Sequence, residues 1–137
     1  FVPDTPPVAQ NPVFLYYSDG FARPYPFEPT MVVGIDAVAE KKWDCISRMP
    51  SQFGDADSWQ GRTRPGVPAG AAERAAYLLD LVRQRSEEVA EQYRDRLIEL
   101  HGEEKGRAIR YAEAFELCQY GRQPTLEELK RLFPGFD

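Results

Sequence analysis

The sequence predicts an α/β fold. Two short apolar runs, at 12–17 and 31–36, have the length and composition of buried strands. Asp36 precedes a predicted helix over roughly 37–48 and can cap it, because its carboxylate can accept from the free amides of a first helical turn. A strand, a capped helix and a second strand nearby are typical of the edge of an α/β sheet.

The first thirty residues are predicted to be mostly irregular. They hold seven of the twelve prolines, and proline fixes φ and donates no backbone hydrogen bond. The predicted strand 12–17 lies inside this stretch and ends at 18–20. A chain that opens on Phe1 is expected to be a segment of something longer or a processed start.

Residues 50–68 predict a polar loop without secondary structure. Such loops rarely exceed about 12 to 15 residues, and longer ones usually serve a function. We therefore divide the chain into an α/β portion, 1–68, that includes this loop, and a helical tail, 69–137, packed on the same domain.

The tail is predicted to be helical throughout. Residues three or four positions apart predict a stripe along one face of a long amphipathic helix, which ends at Gly102. The stripe consists of Ala75, Leu79, Val82, Ser86, Val89, Tyr93, Leu97 and Leu100. A second helix is predicted over 103–119, burying Ala108, Tyr111, Ala112, Phe115 and Cys118. Thr125 and Glu128 predict a capping box that opens a last short helix, which Pro134 stops.

Composition limits the function. The 137 residues carry a net charge of −5, which argues against a nucleic-acid partner, and no apolar run is long enough to span a membrane. Two cysteines make neither a disulfide framework nor a zinc knuckle, and they predict a reduced, cytoplasmic chain in which both are small buried hydrophobes. The single histidine, His101, excludes a multi-histidine metal site. We assign no catalytic residue and no metal ligand to this chain.

The loop 50–68 supplies candidate substrate-binding residues: Ser51, Gln52, Asp57, Trp59 and Arg62. A sugar or an anionic group is bound by an aromatic ring, an amide and a guanidinium of this kind. Asp19 and Arg23 follow the first predicted strand and are expected to line the same crevice, since ligands of open α/β sheets bind beyond the carboxyl ends of strands. The alternatives are an ordered surface loop at 50–68 and a proline-shaped turn at 18–25.

Glu113 and Glu116 are spaced to share one face of the predicted second helix. Paired carboxylates can do acid–base work, but a solvated face, or salt bridges to Arg110, Arg122 or Lys105, is the preferred interpretation.

An ordered set of motifs resembles the C-terminal half of the LmbE-like (PIG-L) deacetylases. It consists of the stretch 27–36, then Glu-Lys-Lys-Trp at 40–43, then Ser-Gln-Phe at 51–53. The segments 93–106 and 111–124 resemble one bacterial branch of the same family.

The resemblance implies the closing part of a Rossmann-like fold, and zinc-dependent removal of N-acetyl groups from N-acetylglucosamine-type conjugates. The family's two histidine-containing metal motifs are absent, and Met49 stands near Ser51 where many relatives have histidine. Zinc is therefore expected for the complete family enzyme and not for this chain alone. Only Glu40, Lys42, Ser51, Gln52 and Phe53 carry over, for helix docking or substrate contact.

The expected function is therefore that of the C-terminal portion of a de-N-acetylase, supplying pocket-rim and structural elements. The expected partners are a missing N-terminal half, or another copy through self-association, and a small amino-sugar substrate. The alternative is a non-catalytic interaction or sugar-binding module.

Overall fold

The computed structural model describes residues 4–18 and 22–136. Helices and strands both occur, which confirms the predicted mixed α/β content. In chain order the elements are β1 (Leu15–Tyr17), β2 (Met31–Gly34), a 3-10 turn (Asp36–Val38), α1 (Ala39–Ser47), α2 (Pro50–Phe53), α3 (Trp59–Thr63), α4 (Ala71–Gln92), α5 (Arg94–His101), α6 (Glu103–Ala108), β3 (Ala112–Leu117) and α7 (Leu126–Lys130).

The three strands form one sheet in the order β1-β3-β2. β1 is antiparallel to β3, with Leu15 opposite Leu117. The amide of Thr30 donates to the carbonyl of Phe115 at 2.9 Å, and that of Ile35 donates to Tyr111 at 2.9 Å. As residue numbers increase along β2, the numbers of their hydrogen-bond partners along β3 decrease, so β2 and β3 are also antiparallel.

The prediction of a helix over 103–119 is wrong beyond residue 108. α6 ends at Ala108, and β3 follows it. Ala112 and Ala114 are buried while Glu113 between them is partly exposed. This two-residue alternation is the period of a strand, and it places both alanines on the inner face of the sheet. Ala108, expected in the core, is exposed.

The predicted long helix is interrupted. α4 ends at Gln92, and Tyr93 (φ −111°, ψ 31°) separates it from α5. The stripe is confirmed at Ser86, Leu97 and Leu100, which are buried, and is wrong at Ala75, which is exposed. Gly102 ends α5 as predicted, with a φ of 86° that favours glycine.

Asp36 does not cap the helix as predicted. It begins the 3-10 turn, and α1 starts at Ala39 without a side-chain cap. Its two carboxylate oxygens instead accept from the amides of Arg110 (3.0 Å) and Tyr111 (3.4 Å). A segment distant in sequence therefore provides the amides that a first helical turn was expected to offer.

The loop 50–68 is not structureless, because α2 and α3 lie within it. Ser58 is buried and caps α3 by accepting from the amide of Gly61 at 3.0 Å. A Cβ at Gly61 would lie 2.8 Å from the carbonyl oxygens of Asp55 and Ala56, so glycine allows this tight turn. The capping box of Thr125 and Glu128 at α7 is confirmed.

The chain divides into two compact units. The first unit comprises Phe1–Val33 and Ala114–Asp137, and the second comprises Gly34–Glu113. The buried side chains of the first include Met31, Val32 and Leu129, and those of the second include Trp43, Leu78 and Leu97. The predicted boundary between 1–68 and 69–137 stays a prediction. No helix among the described residues is long and apolar enough to cross a membrane.

Candidate functional site

The loop 50–68 is attached to α4 by one buried cation. Arg74 is only 8% exposed, and its Nε donates to the carbonyl of Gly54 at 2.9 Å. Its Nη1 donates to the carbonyls of Ala69 (2.7 Å) and Pro68 (3.3 Å). Hydrogen bonds from a charged donor are stronger than neutral ones, so these three contacts hold the loop near both of its ends. Arg74 could not be recognised in the sequence as a buried residue, because an arginine in the first turn of an amphipathic helix is ordinarily on the surface.

The five candidate residues of this loop are exposed to solvent. They are Ser51, Gln52, Asp57, Trp59 and Arg62. Trp59 is the clearest case, with 58% of its surface accessible. Among the described residues, none of the five side chains forms a hydrogen bond or ion pair with another of the five. The loop therefore presents a hydroxyl, an amide, a carboxylate, an indole and a guanidinium to solvent without joining them into a closed pocket.

Two further candidate substrate-binding residues, Asp19 and Arg23, belong to the first unit of the chain. Asp19 lies outside the described residues. Arg23 is exposed, in the proline-rich segment of the first unit. The proposal that both line the same crevice as the loop 50–68 stays a prediction.

The second unit also contains a polar groove of about 350 Å³, which we call the α1–α4 groove. It is built from α1, α4 and the residues that precede β3. Acidic, basic and aromatic side chains all line it: Glu40, Trp43, Asp80, Arg83, Gln84, Glu87, Arg110 and Tyr111. The groove could not be predicted from the sequence, because its lining residues come from segments up to about seventy positions apart.

Two aromatic rings lie between two guanidinium groups in the groove. The guanidinium of Arg83 lies 4.7 Å from the ring centre of Trp43, and that of Arg110 lies 4.9 Å from the ring centre of Tyr111. The two rings meet edge to face, with centres 4.8 Å apart at 83°. Such cation–π and edge-to-face contacts are favourable and directional, so the four side chains form one ordered wall.

The charged groups of the groove are unequally paired. Arg110 binds Glu87 closely, with Nε and Nη2 at 2.8 and 2.7 Å from one carboxylate oxygen, and this hydrogen bonding raises the pKa of Arg110. Asp80 accepts from the amide of Gln84 at 3.0 Å. Arg83 and Glu40 are only loosely paired, at 3.9 Å, which is too long for a hydrogen bond.

Two buried N–H donors in this groove have no acceptor among the described residues. They are Nε1 of Trp43 and Nε of Arg83. A buried donor without a partner costs about 1–3 kcal/mol, so proteins rarely leave one unpaired without a reason. Both donors belong to side chains that also stack on each other.

The remaining sequence candidates are rearranged by the fold. Glu113 and Glu116 lie three apart on a strand, where they point to opposite faces and not to one helical face. Glu113 accepts from Nζ of Lys42 at 2.6 Å, and Glu116 accepts from the amide of Glu28 at 3.1 Å. Cys45 is exposed, contrary to expectation, whereas Cys118 is buried.

The described residues contain no group of three or more histidine, cysteine, aspartate or glutamate side chains that could hold a metal ion. They therefore do not fit a zinc site of the kind that the resemblance implies, and no chemical step is derived through zinc here. Whether the complete protein carries zinc ligands elsewhere stays a prediction.

No family model matches the chain, and comparisons with curated proteins and with solved structures find no significant match. Function must therefore be argued from the residues and their geometry.

Proposed function

We propose that this chain is the C-terminal portion of an LmbE-like de-N-acetylase acting on N-acetylglucosamine-type conjugates, and that it closes a Rossmann-like fold. One observation carries the proposal. The three motifs of the resemblance fall in order on successive elements, with 27–36 leading through β2, 40–43 on α1 and 51–53 on α2. A strand leading into a helix and then into an exposed polar turn is the arrangement that the resemblance implies.

The motif residues divide into docking and contact roles. Trp43 is buried, and Lys42 forms its 2.6 Å ion pair with Glu113, so both attach α1 to the body of the second unit. Ser51 and Gln52 are exposed on α2 and are free to contact a substrate. In this proposal, Trp59 and Arg62 on the neighbouring α3 extend the same rim.

The exposed rim groups suit an amino-sugar conjugate. The hydroxyl of Ser51 and the amide of Gln52 can both donate to and accept from sugar hydroxyls. The exposed indole of Trp59 offers an apolar face for a sugar ring. In this proposal these residues bind and orient the substrate. The reaction itself, hydrolysis of an N-acetyl amide to acetate and an amine, needs metal-binding groups that the described residues do not supply.

A partner is expected because the resemblance covers only the C-terminal half of the family enzyme. The sheet has three strands, of three, four and six residues, which is enough for independent stability when one face is packed, so the need for a partner depends on the resemblance and not on the sheet. We propose that the partner is the N-terminal half of the deacetylase, or another copy through self-association.

The test is native mass spectrometry of the protein purified from its natural source, followed by an acetate-release assay on N-acetylglucosamine conjugates. We expect a species larger than 15.6 kDa that releases acetate. In that species, Gln52→Ala and Trp59→Ala should raise KM with kcat little changed, because they remove binding and not chemistry. Gln119→Ala, an exposed glutamine in the first unit, is the matched control. A single 15.6 kDa species without acetate release would contradict the proposal.

The second candidate is a non-catalytic interaction or sugar-binding module. It is favoured by the exposed indole of Trp59 and the exposed guanidinium of Arg62, which can bind a glycan without any catalytic group. This candidate predicts binding of glycans at the loop 50–68 without acetate release, measured by calorimetry on the same samples.

A further inference from the structure

We propose that the α1–α4 groove binds a free α-amino acid, with its carboxylate on Trp43 and Arg83 and its ammonium group on Glu40. The groove shares no lining residue with the loop 50–68, so this proposal is independent of the deacetylase proposal.

The unpaired donors define one half of the ligand. Nε1 of Trp43 and Nε of Arg83 are both buried without an acceptor in the described part of the chain, and their side chains stack at 4.7 Å. These two N–H groups belong to side chains in contact, one of them a cation, and each can donate to an oxygen of one carboxylate. A ligand that brings such a group satisfies both donors at once.

The loosely paired carboxylate defines the other half. Glu40 is 84% exposed in its side chain and lies 3.9 Å from Nη2 of Arg83. The groove thus holds a positive and a negative group side by side, neither of which has a close charged partner. In an α-amino acid, a single carbon separates the carboxylate from the ammonium group. One such molecule can therefore place its carboxylate at Arg83 and its ammonium group at Glu40.

The other charges of the groove disfavour simpler ligands. Asp80 and Glu87 add negative charge, and Arg110, the other arginine of the lining, is already held by Glu87. A plain anion would meet net negative potential, and an uncharged polyol would leave Arg83 and Glu40 without charged partners. The volume of about 350 Å³ accommodates a small molecule of this size.

Both donors are buried, so the proposal requires a side-chain movement that admits the ligand, and Arg83 is the side chain that we expect to move. Arg83 is restrained by the stacking contact and by a long ion pair to an exposed partner, which is a weak restraint.

The test follows the two indole N–H resonances of the full chain by NMR. Trp43 is buried and Trp59 is exposed, and Trp59→Phe assigns the two signals. Glycine and lysine should each give a saturable downfield shift of the Trp43 signal, with little change at Trp59. Acetate, methylamine and glucose at equal concentration should not.

A matched pair of variants localises the ammonium contact. Glu40→Gln should weaken glycine binding severalfold and leave the folded spectrum unchanged, because the side chain is exposed. Asp44→Asn, the same change of charge on α1 outside the groove lining, should bind glycine as the unmodified chain does. An equal shift with acetate or glucose, equal weakening by both variants, or no shift with any probe would each overturn the proposal.

Discussion

At the scale of single residues, Arg74 shows how a charge can be buried without a counter-ion. Its guanidinium donates to the carbonyls of Gly54, Pro68 and Ala69, and no carboxylate is among its hydrogen-bond partners in the described structure. Carbonyl dipoles replace the water that burial removes, and the same three hydrogen bonds attach the loop to α4.

We expect Arg74→Met to loosen the loop 50–68. The thioether fills much of the same space but donates nothing, so three carbonyls lose their partner, at a cost of about 1–3 kcal/mol in the free energy of unfolding. Amide hydrogen exchange across 50–68 should accelerate. Lys41→Met, at an exposed cationic position of α1, should change the free energy of unfolding by less than about 0.5 kcal/mol. Equal exchange rates in the two variants would show that Arg74 does not restrain the loop.

Single residues also show which candidate site residues could be predicted from the sequence. Ser51, Gln52 and Trp59 were identifiable because polar and aromatic residues stood in a long loop. Arg83 and Trp43 were not, since they lie forty positions apart and their contact exists only after α1 packs on α4.

At the scale of elements, helix ends can be predicted from the sequence where the interacting residues are near one another in the chain. The capping box of α7 joins residues three apart, and Gly102 ends α5 through its own φ. β3 shows the opposite case. The segment 109–119 contains good helix formers, and only pairing with β1 and β2 makes it a strand.

The capping box predicts a pH dependence. Glu128 accepts from the amide of Thr125 at 2.8 Å and from its hydroxyl at 3.2 Å, and these bonds hold the pKa of Glu128 below its ordinary value of 4.5. Because the folded pKa is depressed, this stabilisation is complete above pH 4.5 and is lost as pH falls through the folded pKa.

Glu128→Gln should therefore be less stable than the unmodified chain at pH 7, and the difference should shrink as the pH falls below 4.5. Urea unfolding monitored by circular dichroism across this pH range measures it. Glu127→Gln, one position earlier and outside the box, should show no comparable pH-dependent loss. If Glu128→Gln loses the same stability at pH 7 and at pH 3, the negative charge of Glu128 does not contribute to the capping box.

At the scale of the whole molecule, the chain consists of two units with different means of stabilisation. The second unit contains the 22-residue helix α4 and a wall of stacked aromatic and cationic side chains. The first unit contains most of a sheet of short strands and the five-residue helix α7. Short strands and short helices bury little apolar surface per ordered residue, so the first unit should be the less stable.

Two probes can follow the units separately. Cys118 is buried in the first unit, and Trp43 is buried in the second. In a Cys45→Ser, Trp59→Phe chain, we expect thiol labelling of Cys118 at lower urea concentrations than the change in Trp43 fluorescence. Coincident transitions would show one cooperative body and would contradict the ranking.

Several features could be predicted from the amino-acid sequence: the class of fold, two of the three strands, the start of α7, the end of α5 and the polar character of the loop 50–68. Each of these depends on apolar periodicity or on hydrogen bonds between residues a few positions apart, so a linear pattern contains the information. Tertiary structure alone decided that Asp36 binds the amides before β3, that 112–117 is a strand, that Arg74 restrains the loop and that Trp43 and Arg83 line a groove. These features join segments from twenty to more than seventy residues apart. The pairing of such segments depends on how much apolar surface their packing buries and on how many hydrogen bonds it forms.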